Sequence, residues 1–556
     1  MKNNLSEMPV YAPMTPNEPM EAIGHRIQRF TISRADHPAL ISEQGTVSWR
    51  DLLDQINRIA NRLRDAGLEP GDSVAALSEN SADYVALYLG VLTAGGCMVP
   101  LSGMASAETL CLMLSDCRAT FLFVSQKNGD LLHSFQPGLQ GLPDDRIVAL
   151  DENGEGIGQT LKVWLGDASA GARPADVSLD DAFNIIYSSG TTGTPKGILH
   201  DYRFRQRQME RMSLYGLDCD AINLVSTPLY SNTTLVSVLP TLFHGGTLVI
   251  MTKFDARRFL ELAETHRVTH AMLVPVQYQR ILADAEFDRF DLSSFKLKLC
   301  TSAPLRPDVI ADAMARWPGN IREVYGLTEG GISTSLDCAA HPDKWSSVGI
   351  PTQGAEVRVI DEEDHELSRG ETGELVGRAI SMMRGYVNRP EQTEEMLWES
   401  PEGHVFYRSG DMGRIDEDGF IHILDRRKDM IISGGFNIYP VDLEKALLAH
   451  PAVDDAAVIG IPSEHWGETP LALVVLKPGH QDSTLTILEW ANGQLGKSQR
   501  ISAIELREEL PRSTIGKVLK RELREPYWKK NRALIPISVG PACPERPGNP
   551  PTEAAR

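Results

Sequence analysis

The chain has 556 residues, 42% hydrophobic and 23% charged, which is more than one hydrophobic core organises and describes an ordinary globular chain of at least two domains. Its 55 Lys and Arg face 75 Asp and Glu, a formal net charge of −20; with no long Lys/Arg run, nucleic acid and anionic membrane surfaces are excluded as expected partners. A polyanionic small ligand must then be held by local devices: loop N–H groups, single basic residues and bound cations.

Cys97, Cys111, Cys117, Cys219, Cys300, Cys338 and Cys543 are odd in number, dispersed and free of C-x-x-C pairs, so reduced, mostly buried thiols and a cytoplasmic location are expected. No apolar run reaches ~18 residues, and residues 1–20 lack the apolar centre of a secretory signal. No integral membrane segment is expected.

Residues 1–24 read as a flexible arm. Ser48 is placed to cap a helix whose apolar positions Leu52, Ile56, Ile59, Ala60 and Leu63 recur at helical spacing, with Gly67 ending it. A strand at 74–77, a helix at 83–92 and the run 95–100 follow. This alternation predicts an α/β fold, a large domain with doubly wound, mostly parallel sheets. Further βα units are expected through 119–124, 183–187, 221–227, 247–251 and 270–274. His266 and His270 have i, i+4 spacing, but Arg267 replaces the Glu of a zinc-protease helix and a strand follows, which reads as a helix end. From about Trp345, short segments at 355–360, 373–377, 414–415 and 420–424 predict a small antiparallel β subdomain.

The cluster Asp425-Arg426-Arg427-Lys428-Asp429 fits a solvated loop by composition and a domain junction by position. Beyond it, segment 430–432, a helix at 441–448, strands at 456–461 and 471–476 and a helix near 483–495 make a small α+β module. The Pro-rich stretch after Ala533 lacks periodicity and is expected to be disordered. The division is therefore arm 1–24, N-terminal domain 25–424, hinge 425–429, C-terminal α+β lid 430–533 and tail 534–556.

One stretch organises the rest. The apolar run 183–187 gives way to Ser188, Ser189, Gly190, Thr191, Thr192, Gly193, Thr194, Pro195, Lys196 and Gly197. Glycines let successive N–H groups turn inward, hydroxyls add donors and Lys196 supplies a mobile positive charge, so the loop suits a phosphate group. A flexible surface turn has the same composition. It is no Walker A loop, because Gly197 stands where that motif needs Ser or Thr, and no G-x-G-x-x-G opens a helix here.

The string 188–197 resembles the signature loop of the adenylate-forming superfamily, which contains acyl- and aryl-CoA synthetases, carrier-protein adenylation domains and beetle luciferases. Four further stretches resemble that family in the family's order. In Tyr325-Gly326-Leu327-Thr328-Glu329, the resemblance implies that Tyr325 stacks on adenine, Thr328 hydrogen-bonds the α-phosphate and Glu329 places a magnesium ion (Mg2+). In Tyr407-Arg408-Ser409-Gly410-Asp411 it implies that Asp411 accepts the ribose hydroxyls. In 425–440 it implies that Arg426 contacts the ribose, Lys428 is the pivot, and Gly434 and Gly435 line a thiol channel. In Pro511-Arg512-Ser513-Thr514-Ile515-Gly516-Lys517 it makes Lys517 the catalytic lysine spanning the substrate carboxylate and the α-phosphate.

Tyr230 and Ser231, Thr301, Ser302 and Ala303, and Gly326 correspond to the acyl pocket. Ser231 departs from the His of many relatives in the family, and 300–305 is poorer in Gly than usual, so the acid is not identified; a medium-length, cyclic or aromatic acid is one guess. The activity implied is acyl-AMP formation from ATP and a small carboxylic acid, then transfer to coenzyme A. The alternatives are loading of a carrier protein's phosphopantetheine, a nucleotide-binding scaffold without turnover, and luciferase-type oxidation, for which no residue argues. A homodimer stays open as the assembly.

Overall fold

This computed structural model describes residues 21–135, 142–151, 154, 156–188, 195–433, 436–463, 465–496, 499–513 and 516–532. They divide into two units, the first running to Lys428 and including Arg512–Lys517, the second taking Asp429–Pro511 and the chain from Val518.

The first unit contains two large α/β sheets and one small β sheet. The eight-stranded sheet has the order Gly385–Tyr386, Lys196–Asp201, Ala182–Ser188, Cys97–Leu101, Ser73–Leu77, Phe121–Val124, Ile147–Ala149 and Gln159–Thr160. From Ala182–Ser188 to Gln159–Thr160 neighbours are parallel. Strands such as Ser73–Leu77 and Cys97–Leu101 are buried at every position, which is why they read as continuous rather than alternating apolar runs.

Helix Trp49–Asp65 starts where expected, its Ser48 cap accepting from Asp51 N–H at 3.1 Å. It crosses helix Ala82–Ala94, whose polar start is capped by Ser81 and whose end turns on Gly95 at φ +87°. The crossing is close: a Cβ on Gly90 would lie 2.6 Å from Ile59. Helix Ala82–Ala94 is buried from Tyr84 through Ala94, so it is apolar on all sides rather than on one stripe.

The nine-stranded sheet has the order Ile350–Pro351, Ser333–Asp337, Asn320–Gly326, Leu297–Cys300, His270–Leu273, Ile222–Val225, Thr247–Ile250, Pro38–Ser42 and Gly45–Ser48. It is parallel from Asn320–Gly326 to Pro38–Ser42. The third sheet joins Ala355–Ile360, Gly373–Ala379, Val405–Ile415, Leu397–Glu399 and Ile421–Arg426, all antiparallel. The expected α/β fold with a small β subdomain is present.

The second unit packs helices Pro440–Leu448 and Thr484–Gln494 on a five-stranded sheet through Leu443, Leu447, Val458, Val474 and Ile487. Helix Lys520–Arg532, which follows the lysine-bearing motif, was not anticipated; its charged sequence hides the buried Leu523.

Three other expectations need correction. The 183–187 strand is no βα unit: it forms an antiparallel hairpin with Lys196–Asp201, pairing Ser188 with Lys196. Residues 23 and 24 do not belong to a flexible arm, because helix Ile23–Arg34 buries Ile23 and Ile27; residues 1–20 and 533–556 lie outside the described residues. Asp425 and Arg426 finish strand Ile421–Arg426 rather than lying in a loop. His270 lies in its strand between Thr269 Oγ1 at 2.7 Å and the Tyr215 carbonyl at 3.1 Å. Four described cysteines are buried, Cys111 is half-buried and Cys219 is exposed. Among the described residues no helix is long and apolar enough to cross a membrane.

Candidate functional site

In a parallel sheet the strands' carboxyl ends all open on one edge, and their loops converge there. Ile222–Val225 leads to Tyr230 and Ser231, Leu297–Cys300 leads to Thr301, Ser302 and Ala303, and Asn320–Gly326 leads to Thr328 and Glu329. Ser231 sits at the N-cap of helix Asn232–Phe243, but its side chain makes no cap hydrogen bond. Thr233 Oγ1 on that helix lies 2.8 Å from Ser302 Oγ, which ties two of these loops together. Ser302 holds φ at +77°, a left-handed conformation costly for a side-chain-bearing residue. Gly326 cannot carry a side chain without moving backbone, since its Cβ would lie 2.9 Å from the Ile332 carbonyl oxygen.

Beneath these loops, Glu323 is buried with Oε1 accepting from Leu305 N–H at 3.0 Å. Its Oε2 is buried without a hydrogen-bond partner. Burial pushes this carboxyl up to about 8, so it is neutral over much of the physiological range.

Tyr325 and Asp411 meet although they are far apart in sequence. The Tyr325 hydroxyl donates to Asp411 Oδ2 at 2.6 Å, and Arg426 Nε lies 2.6 Å from Asp411 Oδ1. Asp411 N–H donates to Ser409 Oγ at 2.9 Å, fixing the bend in which the carboxylate stands. Burial, then the Asp411 charge, raises the Tyr325 phenol well above its usual value, so the hydroxyl remains a donor. Each Asp411 oxygen keeps a second lone-pair direction, which leaves capacity for a further donor such as a diol.

On the other side of the motif, Glu329 Oε1 accepts from the Tyr386 hydroxyl at 2.8 Å, and the Glu329 carbonyl accepts from Met383 N–H at 2.8 Å. Lys196 Nζ lies 4.9 Å from the centre of the Tyr386 ring. Thus Lys196, Tyr386 and Glu329 gather where the signature hairpin and the Tyr325–Glu329 motif approach. The Thr328 carbonyl accepts from His200 Nε2 at 2.7 Å.

Of the residues singled out from sequence, Tyr325, Asp411 and Arg426 form one hydrogen-bonded group, and Lys196 and Glu329 join through Tyr386. Ser188 pairs with Lys196 at the hairpin's mouth; Ser189, Gly190, Thr191, Thr192, Gly193, Gly434 and Gly435 lie outside the described residues. Lys428 and Lys517 are exposed. Lys517 ends a tight turn in which its carbonyl accepts from Ser513 N–H at 2.8 Å and its N–H donates to Ser513 Oγ at 3.2 Å.

Sequence reasoning missed Tyr386, Glu323, His200 and Arg205. The first sits in an unremarkable Gly-Tyr pair. Glu323 carried a signal, an acid two residues before the motif in a strand otherwise apolar at Ile321 and Val324. His200 and Arg205 carried another, polar residues in the strand and the helix that follow the signature loop, where an all-apolar buried face would be ordinary.

The family model described as AMP-binding enzyme matches residues 28–387, and that of the AMP-binding enzyme C-terminal domain matches 442–517. A feruloyl-CoA synthase from Amycolatopsis sp is 33% identical over 498 residues, covering 88% of this chain and 96% of that protein. The fatty acid–[acyl-carrier-protein] ligase ScoC of Streptomyces coeruleorubidus is 31% identical over 501 residues, covering 88% and 93%. Among solved structures, ATP-bound MatB from Rhodopseudomonas palustris superposes with a TM-score of 0.80 at 30% identity, covering 91% of this chain and 98% of that one. The five motifs, the joining of Tyr325 with Asp411 and Arg426 and of Lys196 with Glu329 through Tyr386, and these matches agree: the chain belongs to the AMP-binding enzyme family, the adenylate-forming superfamily.

Proposed function

We propose that this protein activates a carboxylic acid with ATP and passes the acyl group to coenzyme A. The observation that carries this reading is the grouping of Tyr325, Asp411 and Arg426 beside Thr328, with Glu329, Tyr386 and Lys196 on its other flank. A substrate carboxylate oxygen attacks the α-phosphorus, the bond to the bridging oxygen breaks, and pyrophosphate leaves with the electron pair. The coenzyme A thiolate then attacks the acyl carbon of the adenylate and AMP leaves.

The difficulty in the first step is bringing an anion to a polyanion on a chain of net charge −20. Lys196 at the hairpin mouth and Lys517 supply positive charge, and Thr328 supplies a hydroxyl donor at the α-phosphate. Asp411 and Arg426 orient the ribose, and Tyr325 offers its ring face to adenine. Glu329 fits magnesium, because its carboxylate is a hard oxygen donor of the kind that cation takes. Bound there, it would neutralise phosphate charge.

Lys517→Ala tests the assignment. Carboxylate-dependent exchange of pyrophosphate into ATP should fall by at least about 100-fold, while thioester formation from supplied acyl-AMP largely survives. Equal loss of both half-reactions would remove Lys517 from the adenylation step. A panel of carboxylic acids, aromatic and aliphatic, read by AMP release with and without coenzyme A identifies the substrate class. The similarity to ScoC, named a carrier-protein ligase, supports a second reading in which the acceptor is a carrier's phosphopantetheine. Acyl transfer to a holo carrier protein but not to free coenzyme A would establish it.

A further inference from the structure

Helix Tyr202–Ser213 begins where Asp201 Oδ1 accepts Phe204 N–H at 2.8 Å, and its first inward turn carries a full positive charge into the core. Arg205 is 0% exposed. Its Nε donates to Asn184 Oδ1 at 2.7 Å, its Nη1 to Gln208 Oε1 at 2.7 Å and its Nη2 to His200 Nδ1 at 2.9 Å. All three acceptors are neutral. A buried cation whose hydrogen-bond partners include no carboxylate is costly to keep, and apolar packing would be the cheaper solution.

The geometry gives that cation a task. Asn184 Nδ2 also lies 3.2 Å from His200 Nδ1, so two donors point at the same ring nitrogen. Nδ1 must therefore be the acceptor, and the ring's single proton sits on Nε2. That nitrogen is 2.7 Å from the Thr328 carbonyl, and the ring is clamped by stacking on Phe204 with centroids 4.0 Å apart and planes 15° from parallel. The next carbonyl, that of Glu329, is held by Met383 N–H. Two consecutive carbonyls of the motif are thus fixed, one of them by a side chain whose tautomer the Arg205 guanidinium selects.

We propose that Arg205 and His200 are positioning residues for the adenylation step: Arg205 holds His200 as the Nε2–H tautomer, and His200 anchors the Thr328 carbonyl so that the Thr328 hydroxyl and the Glu329 carboxylate face the nucleotide. This rests on the function proposed above. Burial and the Arg205 charge both lower the His200 pKa well below its usual value, which keeps the ring neutral. The groups facing the imidazole are Asn184, Arg205 and the Thr328 carbonyl, none of which titrates near neutrality.

The test compares His200→Leu, His200→Gln, Arg205→Met and Arg205→Lys in the full chain. Leu removes the Nε2 donor, whereas the Gln amide can still reach the carbonyl. His200→Leu and Arg205→Met should lower carboxylate-dependent pyrophosphate exchange by up to about 100-fold, the loss a misplacement of about 1 Å produces. Thioester formation from supplied acyl-AMP should stay near wild type, and His200→Gln and Arg205→Lys should recover most of the exchange.

Nitrogen-15 histidine NMR, with the His200→Gln variant assigning the signal, should show the Nε2–H tautomer in the wild type from pH 6 to 8 and mixed or titrating tautomers in Arg205→Met. An Nδ1–H wild-type ring, equal loss of both half-reactions, or no rescue by Gln would overturn the proposal. Should the wild type show no carboxylate-dependent exchange with any acid, the proposed function fails by itself. The positioning claim is then decided by the tautomer spectra and by ATP affinity, which His200→Leu should weaken and His200→Gln should spare.

Discussion

The two large sheets of the first unit bring residues to the motifs by different means. In the nine-stranded sheet each loop follows its own parallel strand, so nothing in the ladder sets one loop against the next. Separate cross-ties do that: Glu323 to Leu305 N–H, and Thr233 to Ser302. In the eight-stranded sheet the signature loop joins two antiparallel strands, and the register Ser188 to Lys196 fixes both of its ends. That hairpin sets its two ends by backbone pairing, and the buried Arg205 of the helix that follows is directed through His200 to the other sheet's motif. Parallel edges thus depend on side chains for order where a hairpin depends on backbone.

The largest effect is expected where a side chain joins strands of different sheets. Asp411→Ala leaves the Tyr325 hydroxyl and the Arg426 guanidinium without their shared acceptor. Breaking a buried pair by removing one partner costs about 3–5 kcal/mol, and because Arg426 is 36% exposed about 3 kcal/mol in urea unfolding is the expected loss. ATP affinity measured calorimetrically should fall with it. Asp411→Asn, which keeps an acceptor for one partner, should fall between. A loss in Asp411→Ala no larger than that of an average surface substitution would show that the ladders alone order this edge.

The next effect belongs to Glu323. Glu323→Leu orphans Leu305 N–H and should cost about 1–3 kcal/mol, whereas Glu323→Gln keeps an acceptor. The wild type also carries a pH signature. The folded carboxyl titrates at about 8 against an ordinary 4.5, so between those values the folded chain binds more protons than the unfolded one. Stability on this account is full below about pH 4.5 and falls as pH rises towards 8. Cys300, Cys338 and Tyr278 around it are all raised by burial and stay neutral in that window. The wild-type stability difference between pH 5 and pH 8, corrected by the same difference in Glu323→Gln, should therefore be negative.

Much of this was legible before any coordinates. Ser48 and the apolar runs at 74–77 and 95–100 set a helix and two parallel strands by local rules. The group formed by Tyr325, Asp411 and Arg426 was legible only through resemblance, since no local rule says that residues 86 positions apart share a hydrogen bond. Arg205 and Glu323 stayed hidden for a physical reason. Periodicity reports which face is buried by counting apolar residues, so a buried cation held by neutral partners and a buried carboxyl kept protonated are both invisible to it. The hairpin was misread as a βα unit because apolar strands look alike whether their neighbour runs parallel or antiparallel.

The smallest effect is the most discriminating. Ser302 holds a left-handed backbone at φ +77° while its hydroxyl meets Thr233. Ser302→Gly should relieve about 1–2 kcal/mol of backbone cost and forfeit about 0.5–1.5 kcal/mol of hydrogen bonding, so the net should lie between a loss of about 0.5 kcal/mol and a gain of about 1.5 kcal/mol. Function should not be so balanced, because the tie between helix Asn232–Phe243 and the 301–303 loop is lost whatever the net energy. KM for the acid should rise several-fold, with ATP affinity unchanged. Thr233→Val removes the same bond without touching the backbone, so it should reproduce the KM change, and the double variant should add little to either single one. If Ser302→Gly leaves KM unaltered, the loops of the parallel edge hold their places without ties, and the contrast with the hairpin disappears.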